Sequence, residues 1–144
     1  MRFLIDTCVI SEWKRHRPDP VVLGWLDTLE QGDIVLSVLT VGEILKGIQR
    51  LPAGRRRDDL TAWLEQLRDM YAQQIFPVSF REVKAWAEIS ATAEQNGRPV
   101  AAIDGLLAAT AESHGVIVAT RNIQDFLATE VPLFNPWTTE WFNC

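Results

Sequence analysis

Four acids in this chain stand where carboxylates can do chemistry: Asp6, Glu43, Asp104 and Asp125. Each lies in a mostly apolar stretch, namely "LIDTCVISEW", "LTVGEILKGI", "AAIDGLLAATAESHG" and "VIVATRNIQDF". Two carboxylates about 5 Å apart repel by roughly 3 kcal/mol at an effective dielectric near 20. A helix cap returns only about 1 kcal/mol. A fold that gathers these acids must therefore neutralise them with protons or with a metal. Mg²⁺ or Mn²⁺, hard cations that prefer oxygen ligands, suit the donor set. Zinc does not, because the chain has no Cys/His cluster: His16 and His114 are isolated, and Cys8 and Cys144 lie at opposite ends.

Each acid also has an ordinary structural role open to it. Asp6 can cap the helix that follows it. Thr40 and Glu43 have the S/T-x-x-E spacing of a capping box. Asp104 falls in a first helical turn, where the macrodipole favours an anion. Asp125 can be solvated or cap a short helix. What separates the readings is whether the fold brings the four together.

The elements that would do so are legible. Arg2–Asp6, Ile34–Ser37 and Val116–Ala119 are short runs apolar on consecutive positions, the signature of buried parallel strands. Ile75–Val78 is a further strand, placed at an edge by Pro77, and Val131–Phe134 is a last apolar run. Helical spacing recurs between them. Val22, Trp25, Leu26 and Leu29 form one stripe, closed by Gly32; Thr40 to Leu51 forms a helix ended by Pro52 and Gly54. Leu60, Trp63, Leu64, Leu67 and Tyr71 mark another, Val83 to Ser90 runs on to Asn96-Gly97, and Ile103 to Ala111 ends at Gly115. Alternation of strands and helices predicts a three-layer α/β/α sandwich with a short central parallel sheet and right-handed crossovers, as one domain over residues 1–144. Sites in such folds form past the carboxyl ends of the strands.

Bulk properties narrow the class. The chain has 144 residues, 47% hydrophobic and 23% charged, which suits a globular domain rather than a disordered one. No run is long enough to span a membrane, and the N-terminus lacks a basic region followed by a long apolar stretch. With two distant cysteines, a reduced, cytoplasmic chain is expected. The formal net charge of -5 does not advertise a nucleic-acid binder. Two local exceptions exist, Lys14 to Arg17 and Arg55 to Arg57, each either a solvated loop or a phosphate-facing rim.

The four acidic blocks together resemble the signature blocks of PIN-domain ribonucleases. "NPW" at residues 135–137 draws the likeness toward the VapC-type toxins of type II toxin–antitoxin systems, in particular their FitB-like branch. The resemblance runs from Phe3 to about Trp137. It implies a metal-dependent endoribonuclease that hydrolyses RNA with a water activated by Mg²⁺ or Mn²⁺. Asp6 and Asp104 resemble the metal-binding aspartates, and Glu43 the glutamate that sets up the metal and its water. In the last block the family carries an acid at one of two places. Asn122 occupies one and Asp125 the other, so the fourth position stays open, with Asp125 favoured. Thr7 and Thr120 resemble supporting hydroxyl residues, and Cys8 replaces the more common Asn. Arg15, Arg17, Arg55, Arg56 and Arg57 become candidates for guiding the RNA backbone. The likeness also implies a cognate antitoxin, a homodimer and a larger toxin–antitoxin assembly.

Six tryptophans are many for this length. Trp25, Trp63 and Trp86 fall on apolar stripes and are expected in the core; Trp137 and Trp141 are candidates for an interface. The competing reading keeps the fold without catalysis: a silent PIN-like module whose acids engage an antitoxin-like partner or nucleic acid. Flap nucleases share the acidic centre but carry helical insertions that this chain is too short to hold. A response-regulator domain needs a phosphorylatable mid-strand Asp and a partner Lys, a pattern not found here.

Overall fold

Successive residues of a strand point to opposite faces, and in the first strand both faces are apolar. Phe3 and Ile5 enter one core while Leu4 enters another. The computed structural model, which describes residues 1–144, repeats this division along the sheet. Ile34 and Leu36 join Phe3, whereas Val35 joins Leu4; Val118 and Leu133 lie on the Leu4 side, Ala119 and Phe134 on the other. A strand buried on both sides has no polar position to spare, which is why these runs read as continuous rather than alternating.

The strands are β1 (Phe3–Ile5), β2 (Ile34–Ser37), β3 (Ile75–Phe76), β4 (Ile117–Ala119), β5 (Leu133–Asn135) and β6 (Glu140–Phe142). They form one sheet in the order β3-β2-β1-β4-β5-β6. All neighbouring pairs are parallel except β5 and β6, which run antiparallel. The helices are α1 (Thr7–Ile10), α2 (Pro20–Asp27), α3 (Val38–Gln49), α4 (Arg55–Met70), α5 (Phe80–Gln95), α6 (Ala102–His114) and α7 (Ile123–Phe126). Residues of α1 to α4 supply the core beside Phe3, and residues of α5 to α7 the core beside Leu4. The result is the expected α/β/α sandwich. No helix is long and apolar enough to cross a membrane.

Several local expectations change. The sheet is not wholly parallel, because Asn135-Pro136-Trp137 turns the chain back into β6. Gly32 does not close α2: that helix ends at Thr28, and Gly32 lies within a 3₁₀ turn, Gln31–Asp33, bounded by reciprocal Glu30 and Asp33 bonds. Thr40 and Glu43 form no capping box. Ser37 caps α3 instead, its hydroxyl accepting from Leu39 N at 3.0 Å, and Thr40 is buried inside the first turn. A capping box does exist one helix pair later, where Glu82 accepts from Ser79 N at 3.1 Å and from the Ser79 hydroxyl. Burial alone would raise the Glu82 carboxyl, but hydrogen bonds from Ser79 and His114 hold it down at about 2. His114 at the end of α6 thus ties α6 to α5, with its Nε2 2.9 Å from Glu82.

The α5–α6 contact also sets where Asp104 stands. A Cβ added at Gly105 would lie 3.0 Å from Cδ1 and 3.1 Å from Nε1 of Trp86. The absent side chain lets the Trp86 indole press against α6 one residue past Asp104. Two further carbons at this position overpack the contact. Gly105→Val should therefore destabilise the protein by about 2 kcal/mol and lower its Tm by roughly 5–10 °C in a calorimetric scan. An unchanged Tm would show that α5 and α6 have slack there.

Candidate active site

In the strand order β3-β2-β1-β4, the chain leaves β1 toward one edge of the sheet and returns to build β4 on its other side. The carboxyl ends of β1 and β4 flank this switch point, where open α/β sheets leave a crevice. Asp6 stands there. Its backbone N–H donates to Ala119 O at 3.0 Å, which fixes the end of β1 against the end of β4. Its Oδ1 accepts from Thr7 N at 2.8 Å as the N-cap of α1, and its Oδ2 accepts from the Thr120 hydroxyl at 2.7 Å. Thr120 is fully buried, and its Oγ1 also accepts from Asn122 N at 3.0 Å. The capping role and the site role of Asp6 are thus not exclusive. Cap and threonine aim a buried carboxylate, 7% exposed, in one direction.

The other acids arrive from separate elements. Glu43 lies on the second turn of α3, Asp104 in the first turn of α6, and Asp125 in α7. The Asp104 carboxyl is pushed up to about 6, first by burial and then by the charges of Asp125, Asp6 and Glu43. Glu43 is also raised, by burial and then by Asp6, against the opposing influence of Thr7 and Lys46. Asp125, Asp6 and Glu43 therefore all lie within electrostatic reach of Asp104. Asn122 joins them only through its backbone, whereas Asp125 is the strongest charge acting on Asp104.

The donor set is the four carboxylates; the buried Thr7 hydroxyl beside them acts on Glu43, whose ionised form it favours. No three of these acids draw together into a closed cage. An all-oxygen set of this kind matches the chemistry of a hard cation such as Mg²⁺, which keeps several waters and takes one or two carboxylates directly.

The family model of the PIN domain matches residues 3–130. The chain belongs to the PIN-domain family. It is 40% identical to toxin FitB of Neisseria gonorrhoeae over 93% of this chain and 97% of that one. It is 36% identical to VapC ribonuclease Y4jK of Sinorhizobium fredii, covering 93% and 96%. Among solved structures it is similar to FitAB bound to an IR36 DNA fragment, with a TM-score of 0.92 and 39% identity over 96% of this chain and 97% of that one.

Around the acids of this PIN domain, the basic residues fall into distinct groups. Lys14, Arg15 and Arg56 line a hollow of about 330 Å³ that also contains Glu43 and Thr7. Arg15 is not free: its Nη1 is 3.0 Å from Glu12 Oε1, and Glu12 is fully buried. Arg56 donates to Lys14 O at 3.2 Å, and Arg57 to Gln49 Oε1 at 2.8 Å. Arg17 and Arg55 are exposed and do not line this hollow. Two bases near the acids escaped the sequence reading. Arg98 lines a hollow of about 160 Å³ with Asp104 and Asp125, and Arg121 lines one of about 390 Å³ with Asn122 and Asp125. The position of Arg121 directly after Thr120 was the available signal. For Arg98, in the loop before α6, there was none.

Cys8 sits at the centre of this arrangement, with Sγ 3.7 Å from Asp6 Oδ2 and 3.8 Å from Thr120 Oγ1. Burial, then the Asp6 charge, push its thiol up to about 11. It stays protonated at neutral pH, a weak donor to Asp6 rather than a nucleophile or thiolate ligand.

The Asp104 shift has a sign that can be checked. A carboxyl raised in the folded state favours folding while protonated, and that contribution is lost as pH rises through about 6. In the absence of divalent metal, Asp104→Asn should raise the Tm at pH 7.5 and change it much less at pH 4.5. An Asn variant less stable than the parent at both pH values would show that Asp104 carries no such penalty.

Proposed function

We propose that this chain is a metal-dependent endoribonuclease, the toxin of a toxin–antitoxin pair. What supports the reading is Asp6 held at the switch point by Thr7 N and the Thr120 hydroxyl, with Asp104 and Asp125 lining one hollow and Asp125, Asp6 and Glu43 all opposing the ionisation of Asp104. A fold does not retain four such anions at a strand-end crevice for stability. The sequence relatives named as a toxin and a ribonuclease, and the solved complex of FitAB, support the same direction.

Asp6 and Asp104 would hold Mg²⁺ or Mn²⁺. Such a cation, when bound, neutralises charge at a scissile phosphate and makes a water nucleophilic at neutral pH. The chain's own residues do the positioning. Thr120 and the Thr7 amide fix both oxygens of Asp6. Asp125 completes the acidic ring on the α7 side. Glu43, raised by burial and by Asp6, is a stronger base than a solvated glutamate, so its carboxylate is suited to take the proton that the attacking water loses. His114 does not compete for that role, since it is engaged by Glu82.

An antitoxin partner and a homodimer belong to the same reading, and the surface offers apolar area for both. Trp13, Trp63, Leu67, Met70 and Tyr71 line an open hollow of about 230 Å³ between α4 and the turn after α1. Phe80, Val83 and Ile103 are exposed on α5 and α6.

The purified chain, freed of any partner, should degrade a structured RNA in Mg²⁺ or Mn²⁺ and stop on chelation. Asp104→Asn should slow cleavage by about 100-fold or more. An Asp6→Asn protein as active as the parent, on a gel assay of end-labelled RNA, would overturn the assignment.

A further inference from the structure

A site ringed by carboxylates repels a polyanion, so the strand that enters it needs a positive group held beside the acids. We propose that Trp137 clamps Arg121 at the mouth of the site so that its guanidinium meets a phosphate of the bound RNA strand. This rests on the ribonuclease reading above.

Arg121 follows Thr120, whose hydroxyl holds Asp6. Its Cζ lies 5.0 Å from the centroid of the Trp137 ring. The ring is itself fixed. Asn135 Oδ1 accepts from Trp137 N at 2.9 Å, Asn135 O accepts from Thr139 N at 2.7 Å, and Trp137 packs against the core beside Phe3. Thr120 N bonds Phe134 O at 3.0 Å, so the register of β4 against β5 sets arginine and turn side by side. The Asn-Pro-Trp turn therefore has a consequence for the site that packing alone does not require.

Arg121 is exposed and takes part in none of the chain's ion pairs, which join Arg15 to Glu12, Arg68 to Glu65 and His114 to Glu82. It shares a hollow with Asp125, one of the four acids. A guanidinium held over an aromatic ring keeps N–H groups free on the side away from it, where a phosphate binds in bidentate fashion. Stacking also removes the rotamer freedom that a long free side chain loses on binding. Arg15, whose charge is matched by buried Glu12, lacks that freedom to engage.

The test measures binding of a fluorescein-labelled single-stranded RNA by anisotropy, with Asp104→Asn as the background and divalent metal chelated so that cutting is suppressed, over a series of salt concentrations. Arg121→Gln should weaken binding about tenfold and lower the salt slope by about 0.7, the share of one phosphate contact on a single strand. Trp137→Leu should weaken it about threefold with the slope retained. Arg121→Lys, which keeps the charge and loses the planar stack, should behave like Trp137→Leu and guards against a folding defect in the latter. The double variant Arg121→Gln/Trp137→Leu should bind no worse than Arg121→Gln alone. Additive losses, an unchanged salt slope in Arg121→Gln, or parent-like binding by Arg121→Lys would overturn the clamp. Cleavage by the parent chain is scored separately. A parent that binds RNA through Arg121 without cutting it refutes the nuclease and keeps the clamp, a parent that cuts while Arg121 is silent does the reverse, and one that does neither refutes both.

Discussion

Repulsion among Asp6, Glu43, Asp104 and Asp125 is the constraint around which the rest of this molecule is arranged. Left in water, four such carboxylates would separate. Here each is carried on a backbone that cannot move away: the end of β1, the second turn of α3, the first turn of α6 and the short α7. The sandwich supplies the opposing work. Its two cores, one on each side of the sheet, bury whole strands, and apolar burial at about 25 cal/mol per Å² accumulates far beyond the cost of a few like charges. The penalty is concentrated at Asp104, whose carboxyl is pushed up to about 6.

Precision at Asp6 comes from using every polar contact twice. Its carboxylate caps α1 while receiving the Thr120 hydroxyl, and that hydroxyl in turn accepts from Asn122 N. Two segments distant in sequence, residues 6–7 and 120–122, thereby share one hydrogen-bonded junction at the switch point. Cys8 lies against the same junction but is held neutral. An asparagine in its place would donate an amide N–H, a stronger bond than a thiol offers.

Much of this was legible in the residue pattern. Continuous apolar runs gave the parallel strands, because burial on two faces leaves no alternation to read. Asp6 stood out because it closes such a run, and Glu43, Asp104 and Asp125 through the apolar helical blocks that carry them. Other features could not be read so. Thr40 and Glu43 had the spacing of a capping box, yet Ser37, three residues earlier, took the cap and left Thr40 inside the helix; spacing does not say where a helix starts. The antiparallel β6 depends on a turn at Asn135-Pro136-Trp137 that reads as a terminus. Glu12 and Glu82 are buried acids whose partners, Arg15 with Asp19 N and His114 with Ser79, emerge only in three dimensions. Arg121 was passed over because it stands alone in sequence, whereas the Arg55–Arg57 run drew attention and is partly consumed by contacts to Lys14 O and Gln49.

In the proposed function these acids share a divalent cation. Soaking crystals of the chain in Mn²⁺ and recording anomalous diffraction tests it most directly. An anomalous peak is expected in contact with the carboxylates of Asp6 and Asp104, with Glu43 and Asp125 facing it. A peak elsewhere on the surface, or none at millimolar Mn²⁺, would contradict it.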